Sequence, residues 1–390
     1  MDRLRLHILI DSLEPGGAQN LLPGFAIAAT RAGIAVSISY LRDYGGPRAP
    51  IEDAGIEPTC IDISSLLGRN DRARVRDHLA RSNPDLLHTH LGYSDVLGGL
   101  AARSLGIPAV STLHAVTWST GAVRNRIKDR LQAAVRRRCA SRVIAVCDAA
   151  RRRYLALRWD LPERVVTVHN GIVDAARPGS GRRVRAELGL TDRDIVLTMV
   201  SVLRRDKAGL FPPPSVLTVA GHDIAVAAVS ELASEFPDIR LLVVGDGPDR
   251  GAVERAAARL GERALVVGHR GDVPDVLDAS DVLIHPAYAD AFPTVLLEAM
   301  SCSVPVAASS VGGIPEIVVD DETGILFAAP PRAENLASSL RPLLVDQALR
   351  RRLGEAGRRR FETNFTTDSW IEGTLPAYES ALAAARKSRG

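Results

Sequence analysis

The stretch Asp281 to Glu316, DVLIHPAYADAFPTVLLEAMSCSVPVAASSVGGIPE, packs a strand, an acidic loop, a helix and a glycine turn into 36 residues. Val282 to His285 is a short apolar run closed by Pro286, the pattern of a buried strand that ends at a loop. Beyond Asp290 the apolar residues Val295, Leu296, Ala299 and Met300 recur at helical spacing. Asp290 and Glu298 therefore flank the start of one helix, the first from its loop and the second from its second turn. Two carboxylates so placed can hold the hydroxyls of a sugar; the alternative is that they only cap and solvate the helix. Ser303 to Ala308 gives the next strand, and Gly312-Gly313 a turn where the backbone bends sharply or approaches a ligand closely. The whole reads as a βαβ unit that carries a binding site.

The same alternation runs from end to end, which predicts parallel sheets with helices on both faces. Leu4–Ile10, Ala35–Leu41, Cys60–Ile63, Leu86–His88, Ala109–Leu113, Arg142–Val146 and Val165–Val168 are the strands expected in the first half. Ile195–Val202, Ile239–Val244 and Ala264–Val267 join the stretch above in the second. At 390 residues the chain is too long for one ordinary core. The expected fold class is α/β, with two doubly wound, Rossmann-like domains over residues 1–175 and 190–365. The polar segment Asp174 to Leu188, rich in Gly, Pro and Arg, reads as the linker, and the tail is helical after Asp368.

Hydrophobic residues at 46%, charged residues at 24% and aromatics at 4% describe a soluble globular protein. Cys60, Cys139, Cys147 and Cys302 show neither close pairing nor metal-ligand spacing, which fits a reducing compartment and no structural disulfide. The N-terminal apolar run stops at Asp11 and reads as a strand, and no run reaches the length of a membrane span. A cytoplasmic protein is expected, with peripheral contact at a membrane as the variant. That variant comes from charge: net charge is only +3, yet Gly121 to Asp160 holds twelve Arg or Lys against three Asp. Residues 122–138 read as a basic helix, with Arg124, Lys128 and Arg136-Arg137-Arg138 around an apolar stripe of Ile127, Leu131 and Val135. Such a helix lies on an anionic membrane surface or is a solvated face. Nucleic acid is not expected as a partner, because no aromatic interleaving accompanies the charge.

Gly16-Gly17, between the first strand and its helix, brings backbone N–H groups and a helix dipole toward an anion. The pattern is not G-x-G-x-x-G, and no G-x-x-x-x-G-K-[ST] occurs anywhere, which argues against dinucleotide oxidoreductases and P-loop enzymes. His114 follows the strand Ser111-Thr112-Leu113 and so stands at the carboxyl end of the sheet, where ligands of open α/β folds gather; a structural role is its alternative. His88-Thr89-His90 shares one strand face between two imidazoles, but no third ligand for a metal has suitable spacing. Asp192-Arg193-Asp194 precedes a strand and does not read as a metal-binding D-x-D. No metal is expected. Ser201 to Lys207 supplies Arg204, Arg205 and Lys207 after the first strand of the second domain, a cluster of cations suited to an anionic group.

Taken together these motifs resemble the retaining GT-B glycosyltransferases, the group 1 and family 4 type, whose signature is written E-G-F-x-x-x-x-x-E-A. Here the frame reads Asp290-Ala291-Phe292-Pro293-Thr294-Val295-Leu296-Leu297-Glu298-Ala299, with Asp for the first Glu and Ala for the Gly. The resemblance spans nearly the whole chain, from Gly16-Gly17 through Asn170-Gly171 to Gly312-Gly313-Ile314-Pro315-Glu316. It implies GT-B architecture with a central cleft, a nucleotide sugar, a UDP or GDP sugar, in the second domain, and a hydroxyl acceptor, glycan, lipid or small molecule, in the first. No cofactor beyond that donor is implied. A last helix, about 368–390, is implied to cross back onto the first domain. The residue roles it implies are Arg204 and Lys207 on the diphosphate, Glu298 on the ribose, and Asp290, Phe292, Pro293, Thr294 and His114 on the donor sugar. Gly16, Gly17, Gly245, Gly247 and Arg270 are implied to border the nucleotide. The expected chemistry is transfer with retention, without a metal.

One departure stands out. The family's Lys-Gly-His-Asp is split here, with Lys207 separated from Gly221-His222-Asp223 by residues 208–220, AGLFPPPSVLTVA. Pro212-Pro213-Pro214 cannot be helical, and the insertion is expected to project as a loop. The insertion raises one alternative, a sugar-nucleotide binder impaired by it; a nucleotide-sugar epimerase of the same fold is a separate one.

Overall fold

The computed structural model describes residues 3–14, 16–65, 68–115, 123–205 and 218–387, the side chains of 123–126 excepted. The chain divides into two units, Met1–Val173 with Phe365–Gly390, and Asp174–Asn364.

The first unit is built on a parallel sheet of seven strands: β1 (Arg5–Ile10), β2 (Ala35–Tyr40), β3 (Thr59–Cys60), β4 (Leu86–His90), β5 (Ala109–Leu113), β6 (Arg142–Ala145) and β7 (Val165–Thr167), in the order β3-β2-β1-β4-β5-β6-β7. The second carries six: β8 (Ile195–Val200), β9 (Ile239–Val244), β10 (Ala264–Gly268), β11 (Val282–His285), β12 (Val306–Ser309) and β13 (Gly324–Phe327), in the order β10-β9-β8-β11-β12-β13. Helices cover both faces of each sheet, so central strands are buried on both sides and read as nearly unbroken apolar runs. β5, β11 and β12 are buried at every residue. In each sheet the winding reverses once, between β1 and β4 and between β8 and β11. Such switch points open a crevice at the carboxyl ends of the strands, where ligands bind.

The last helix, Thr367–Lys387, packs on the helix Gly17–Arg31 and on β5 and β6. Trp370 lies 4.6 Å from Phe25, ring centroid to centroid, and Arg31 pairs with Asp368 at 2.7 Å. This anchors the C-terminal segment on the first unit.

Several local readings change, the strand expected at Cys60–Ile63 forming instead at Thr59–Cys60, and three of the changes bear on the sites. β4 runs to His90 rather than stopping at His88, because β1 and β5 pair it on both sides through that residue. The segment taken as a linker folds from Gly181 to Glu187 into a helix on the second unit. Arg183 bonds Asp272 and Asp275, and Arg185 bonds the Ala279 carbonyl and Asp281. A side chain at Gly181 would stand 2.4 Å from the Ala279 nitrogen, so only glycine permits that contact. Third, the basic helix Val123–Cys139 turns an arginine inward: Arg136 is 6% exposed, whereas Ile127 and Leu131 are 52% and 61% exposed.

Candidate active site

At the switch point of the second unit, the chain leaving β8 is tied to the loop after β9. Ser201 N donates to Val244 O at 3.1 Å, Leu203 N to Asp246 O at 2.9 Å and Asp249 N to Leu203 O at 3.0 Å. A Cβ on Gly245 would fall 1.9 Å from Ser201 O, and one on Gly247 2.4 Å from Leu203 O. These two glycines are thus demanded by the chain's own backbone. Arg204 emerges exposed from this braid. Its carbonyl accepts from Val219 N at 3.2 Å, which closes the base of the inserted segment, and Tyr288 N donates in turn to Val219 O at 2.9 Å. Thr218 and Val219, the end of the insertion, are buried in this stem. Lys207 and the rest of the insertion to Leu217 lie outside the described residues.

The helix His222–Leu232 starts at Gly221, whose φ of +78° and whose 2.0 Å clearance from Pro286 O to a would-be Cβ both require glycine. His222 is fully buried, with Nδ1 2.5 Å from Thr218 Oγ1 and Nε2 3.4 Å from Ser201 Oγ. Burial, with nearby His285 second, pushes its pKa down to about 4, so it holds the stem as a neutral ring. The sequence marked this histidine only as part of a broken motif.

Across the switch point, β11 ends at His285. Its Nε2 is buried, accepts or donates no hydrogen bond among the described residues, and stands 3.6 Å from Asp290 Oδ2. The loop carrying Asp290 is braced by Ser309 Oγ, which donates to Ala287 O at 2.6 Å. Phe292 is buried two residues before the helix Thr294–Ser301. Pro293 precedes that helix and caps none of its first-turn N–H groups with a side chain. Glu298, on the second turn, has no side-chain partner among the described residues. Burial pushes its pKa up to about 7. An unpaired carboxylate removed from water is costly, and is kept where a ligand supplies its hydrogen bonds.

Arg270 is arranged otherwise: its guanidinium is occupied by Glu187 at 2.7 Å and by Asp272 at 2.8 Å, which raises its pKa and locks the loop after β10. It stands as a brace with its fork already filled.

In the first unit, Gly16 and Gly17 begin the helix Gly17–Arg31 without a side-chain cap. A Cβ on Gly17 would meet nothing within 4 Å, whereas one on Gly16 would fall 2.6 Å from Gln19 Oε1, so the open backbone of this turn is at Gly17. A hollow lined by Leu13, Asn20, Pro23, Pro47 and Ile51 lies in the same part of the unit. His114 stands half-buried just past β5, and its Nε2 is 2.9 Å from Nδ1 of His90. The nitrogens of His88 go to Tyr378 and Thr112, both at 2.7 Å. These imidazoles serve one another and hydroxyls, and among the described residues no group of His, Cys, Asp or Glu is arranged to hold a metal ion. Alternation along β4 was legible in the sequence; the partner Tyr378, 290 residues on, was not.

Residues 15–175 match the family described as Glycosyltransferase Family 4, and residues 212–360 the family described as Glycosyl transferases group 1. D-inositol 3-phosphate glycosyltransferase of Salinispora arenicola is 32% identical over 336 residues, 80% of this chain and 72% of that protein. The chain belongs to the group 1 glycosyltransferases. Alpha-maltose-1-phosphate synthase of Mycolicibacterium smegmatis is a further relative of this glycosyltransferase, 31% identical over 330 residues, 76% of this chain and 79% of that one. Among solved structures, HepE of Anabaena in complex with UDP shares the fold, with a TM-score of 0.80 at 22% identity over 96% of this chain and 100% of that one. The two sheets, each flanked by helices, are the two Rossmann-like domains of the GT-B architecture. Among the described residues no helix of this glycosyltransferase is long and apolar enough to cross a membrane.

Proposed function

We propose that this glycosyltransferase moves a sugar from a UDP or GDP sugar to a hydroxyl acceptor, with retention of configuration and without a metal. The observation that carries the reading is Glu298: a half-buried carboxylate, raised to about 7 by desolvation, unpaired among the described residues, on the helix whose preceding loop holds Asp290. A ribose diol offers the two donors it lacks. The second unit's switch point would then hold the nucleotide, with Arg204 and Lys207 stabilising charge that grows on the departing diphosphate. Asp290, Phe292, Pro293, Thr294 and His114 would orient the sugar, while Gly16 and Gly17 offer amides to anionic or hydroxylated groups. Gly245, Gly247 and Arg270 would fix the shape of the nucleotide's border. The acceptor hydroxyl attacks on the face from which the diphosphate leaves, its proton passes to the leaving phosphate, and no side-chain nucleophile is needed.

HepE has also been solved with UDP-glucose, which supports the donor class. The name of the Salinispora relative, D-inositol 3-phosphate glycosyltransferase, puts a phosphorylated polyol beside glycans and lipid-linked sugars as acceptor classes. Calorimetric titration of UDP, GDP and ADP sugars tests the proposal: one should bind in the micromolar range and turn over with a hydroxyl acceptor, and binding by none would end it. The insertion after Lys207 favours one competing reading, a binder with impaired chemistry. Under that reading the donor binds without transfer and Lys207→Ala changes nothing. An epimerase would instead convert the donor with no acceptor present.

Peripheral membrane contact belongs to the same proposal. The helix Val123–Cys139 buries Ala133 and Arg136 and turns Ile127, Leu131 and Ala134 outward, with Lys128, Arg130, Arg137 and Arg138 exposed around them. An apolar strip ringed by cations complements an anionic lipid surface. The protein should sediment with phosphatidylglycerol vesicles and not with phosphatidylcholine ones. Replacing Ile127 and Leu131 together by Ser removes about 2–3 kcal/mol of apolar transfer and should weaken that binding at least tenfold. Equal sedimentation with neutral vesicles, or an unaffected double variant, would refute the contact.

A further inference from the structure

The buried histidines of β4 are left without a role by the chemistry above. β4 lies between β1 and β5, and its period of two puts His88 and His90 on one face, with Thr89 on the other. On the histidine face the rings of His88 and His90 lie 4.2 Å apart, centroid to centroid, tilted by 41°, and Phe25 meets His88 edge-on with centroids 6.1 Å apart. His88 is held at both nitrogens by Tyr378 of the last helix and Thr112 of β5. His90 rests on that fixed ring and meets His114 through Nδ1, while its Nε2 is buried with no partner among the described residues.

The proton count decides what this arrangement does. Burial pushes His88 down to about 3 and His114 to about 4, and burial with two neighbouring imidazoles takes His90 well below its ordinary value. All three rings are neutral near pH 7, so the contact between His90 Nδ1 and His114 Nε2 holds one proton. If it sits on His114, the proton of His90 is on Nε2, an N–H buried without an acceptor. If it sits on His90, the buried Nε2 is only a bare lone pair. Orphaned N–H groups are the rarer of the two in folded proteins, and leaving one unpaired costs about 1–3 kcal/mol.

We propose that His90 is a positioning residue that donates through Nδ1 to His114 Nε2 and so fixes His114 with its proton on Nδ1, where it serves as a hydrogen-bond donor to an oxygen of the sugar. His114 is half-buried, and its Nδ1 has no partner among the described residues. In this tautomer the outer nitrogen cannot act as a base. The inference rests on the reading of His114 as a sugar contact, and its test separates the two.

Long-range 15N–1H correlation of the labelled, ligand-free protein, with the His114 signals assigned by their loss in His114→Gln, should show Nδ1 protonated and Nε2 bare. In His90→Phe the fixed tautomer should be lost, and the advantage of sugar nucleotide over bare nucleotide in calorimetric affinity should fall about five- to tenfold. His90→Asn, which keeps an N–H donor near the same place, should restore most of it. Binding of the bare nucleotide should be unchanged in both. Protonated Nε2 on His114 in the wild-type protein overturns the inference, as does an affinity advantage that survives His90→Phe. A wild-type protein that binds nucleotide without favouring its sugar would instead remove the sugar contact from the proposed function, and the tautomer would still be decided by the spectra.

Discussion

Glu298→Gln is expected to weaken sugar-nucleotide binding by about two orders of magnitude and, at the same time, to stabilise the empty protein above neutral pH. The first effect follows from losing two charge-assisted hydrogen bonds to the ribose, together worth about 3 kcal/mol. The second follows from linkage. The carboxyl is raised from 4.5 to about 7 by desolvation, so the folded state holds its proton more tightly than the unfolded chain does. Its burial therefore costs nothing below the unfolded value, costs progressively more as pH rises from 4.5 through 7, and is fully unfavourable above that. At pH 8 the penalty is on the order of 3 kcal/mol, which Gln escapes. Thermal unfolding at pH 8 should rise by several degrees in the variant and at pH 4 should not move. Ribose hydroxyls favour the ionised form, so wild-type binding should release a proton and tighten about tenfold between pH 6 and pH 8. Affinity that is flat over that range, or a variant that binds as well as the wild type, would show that Glu298 does not face the nucleotide.

Much of the second unit was legible because its strands are buried on both faces. Ile239–Val244 and Val282–His285 carry apolar side chains almost without a break, and their bounds came out as read. Glu298 was legible through its eight-residue spacing from Asp290 on a helical frame, and the helix does place it on the second turn. What stayed hidden depends on partners distant in the chain. Residues 181–187 look like linker because Gly and Arg have no apolar stripe, yet Arg183 and Arg185 find carboxylates about ninety residues later and fold the segment onto them. Arg136 looks like one more solvated charge in a run of three, since nothing local points to Asp95. His88 and His90 were visible as a pair on one face, but the hydroxyls that hold His88 come from β5 and from the final helix.

Asp95→Ala should be the most destabilising single change in the first unit. Asp95 is buried at the start of the helix Gly92–Leu105, where it accepts from Thr89 Oγ1 at 2.5 Å, Ser111 Oγ at 2.6 Å and Arg136 Nη2 at 2.5 Å. Its side chain is 1% exposed and that of Arg136 7%, so removing the carboxylate leaves a guanidinium charge in a low-dielectric interior with, among the described residues, only Ser111 and Tyr154 bonded to it. Breaking such a pair costs about 3–5 kcal/mol, which for a unit of this size lowers its melting temperature by about 10 °C. The pair itself contributes far less than that, because both ions gave up their hydration to form it. Asp95→Leu combined with Arg136→Met should therefore recover most of the stability lost by Asp95→Ala, as followed by calorimetry. A double variant no better than the single one would mean that the hydrogen bonds of Thr89 and Ser111, rather than the unpaired charge, dominate the loss. Those two hydroxyls lie on β4 and β5, so the same result would make Asp95 the clamp that holds the strands of His90 and His114 in register.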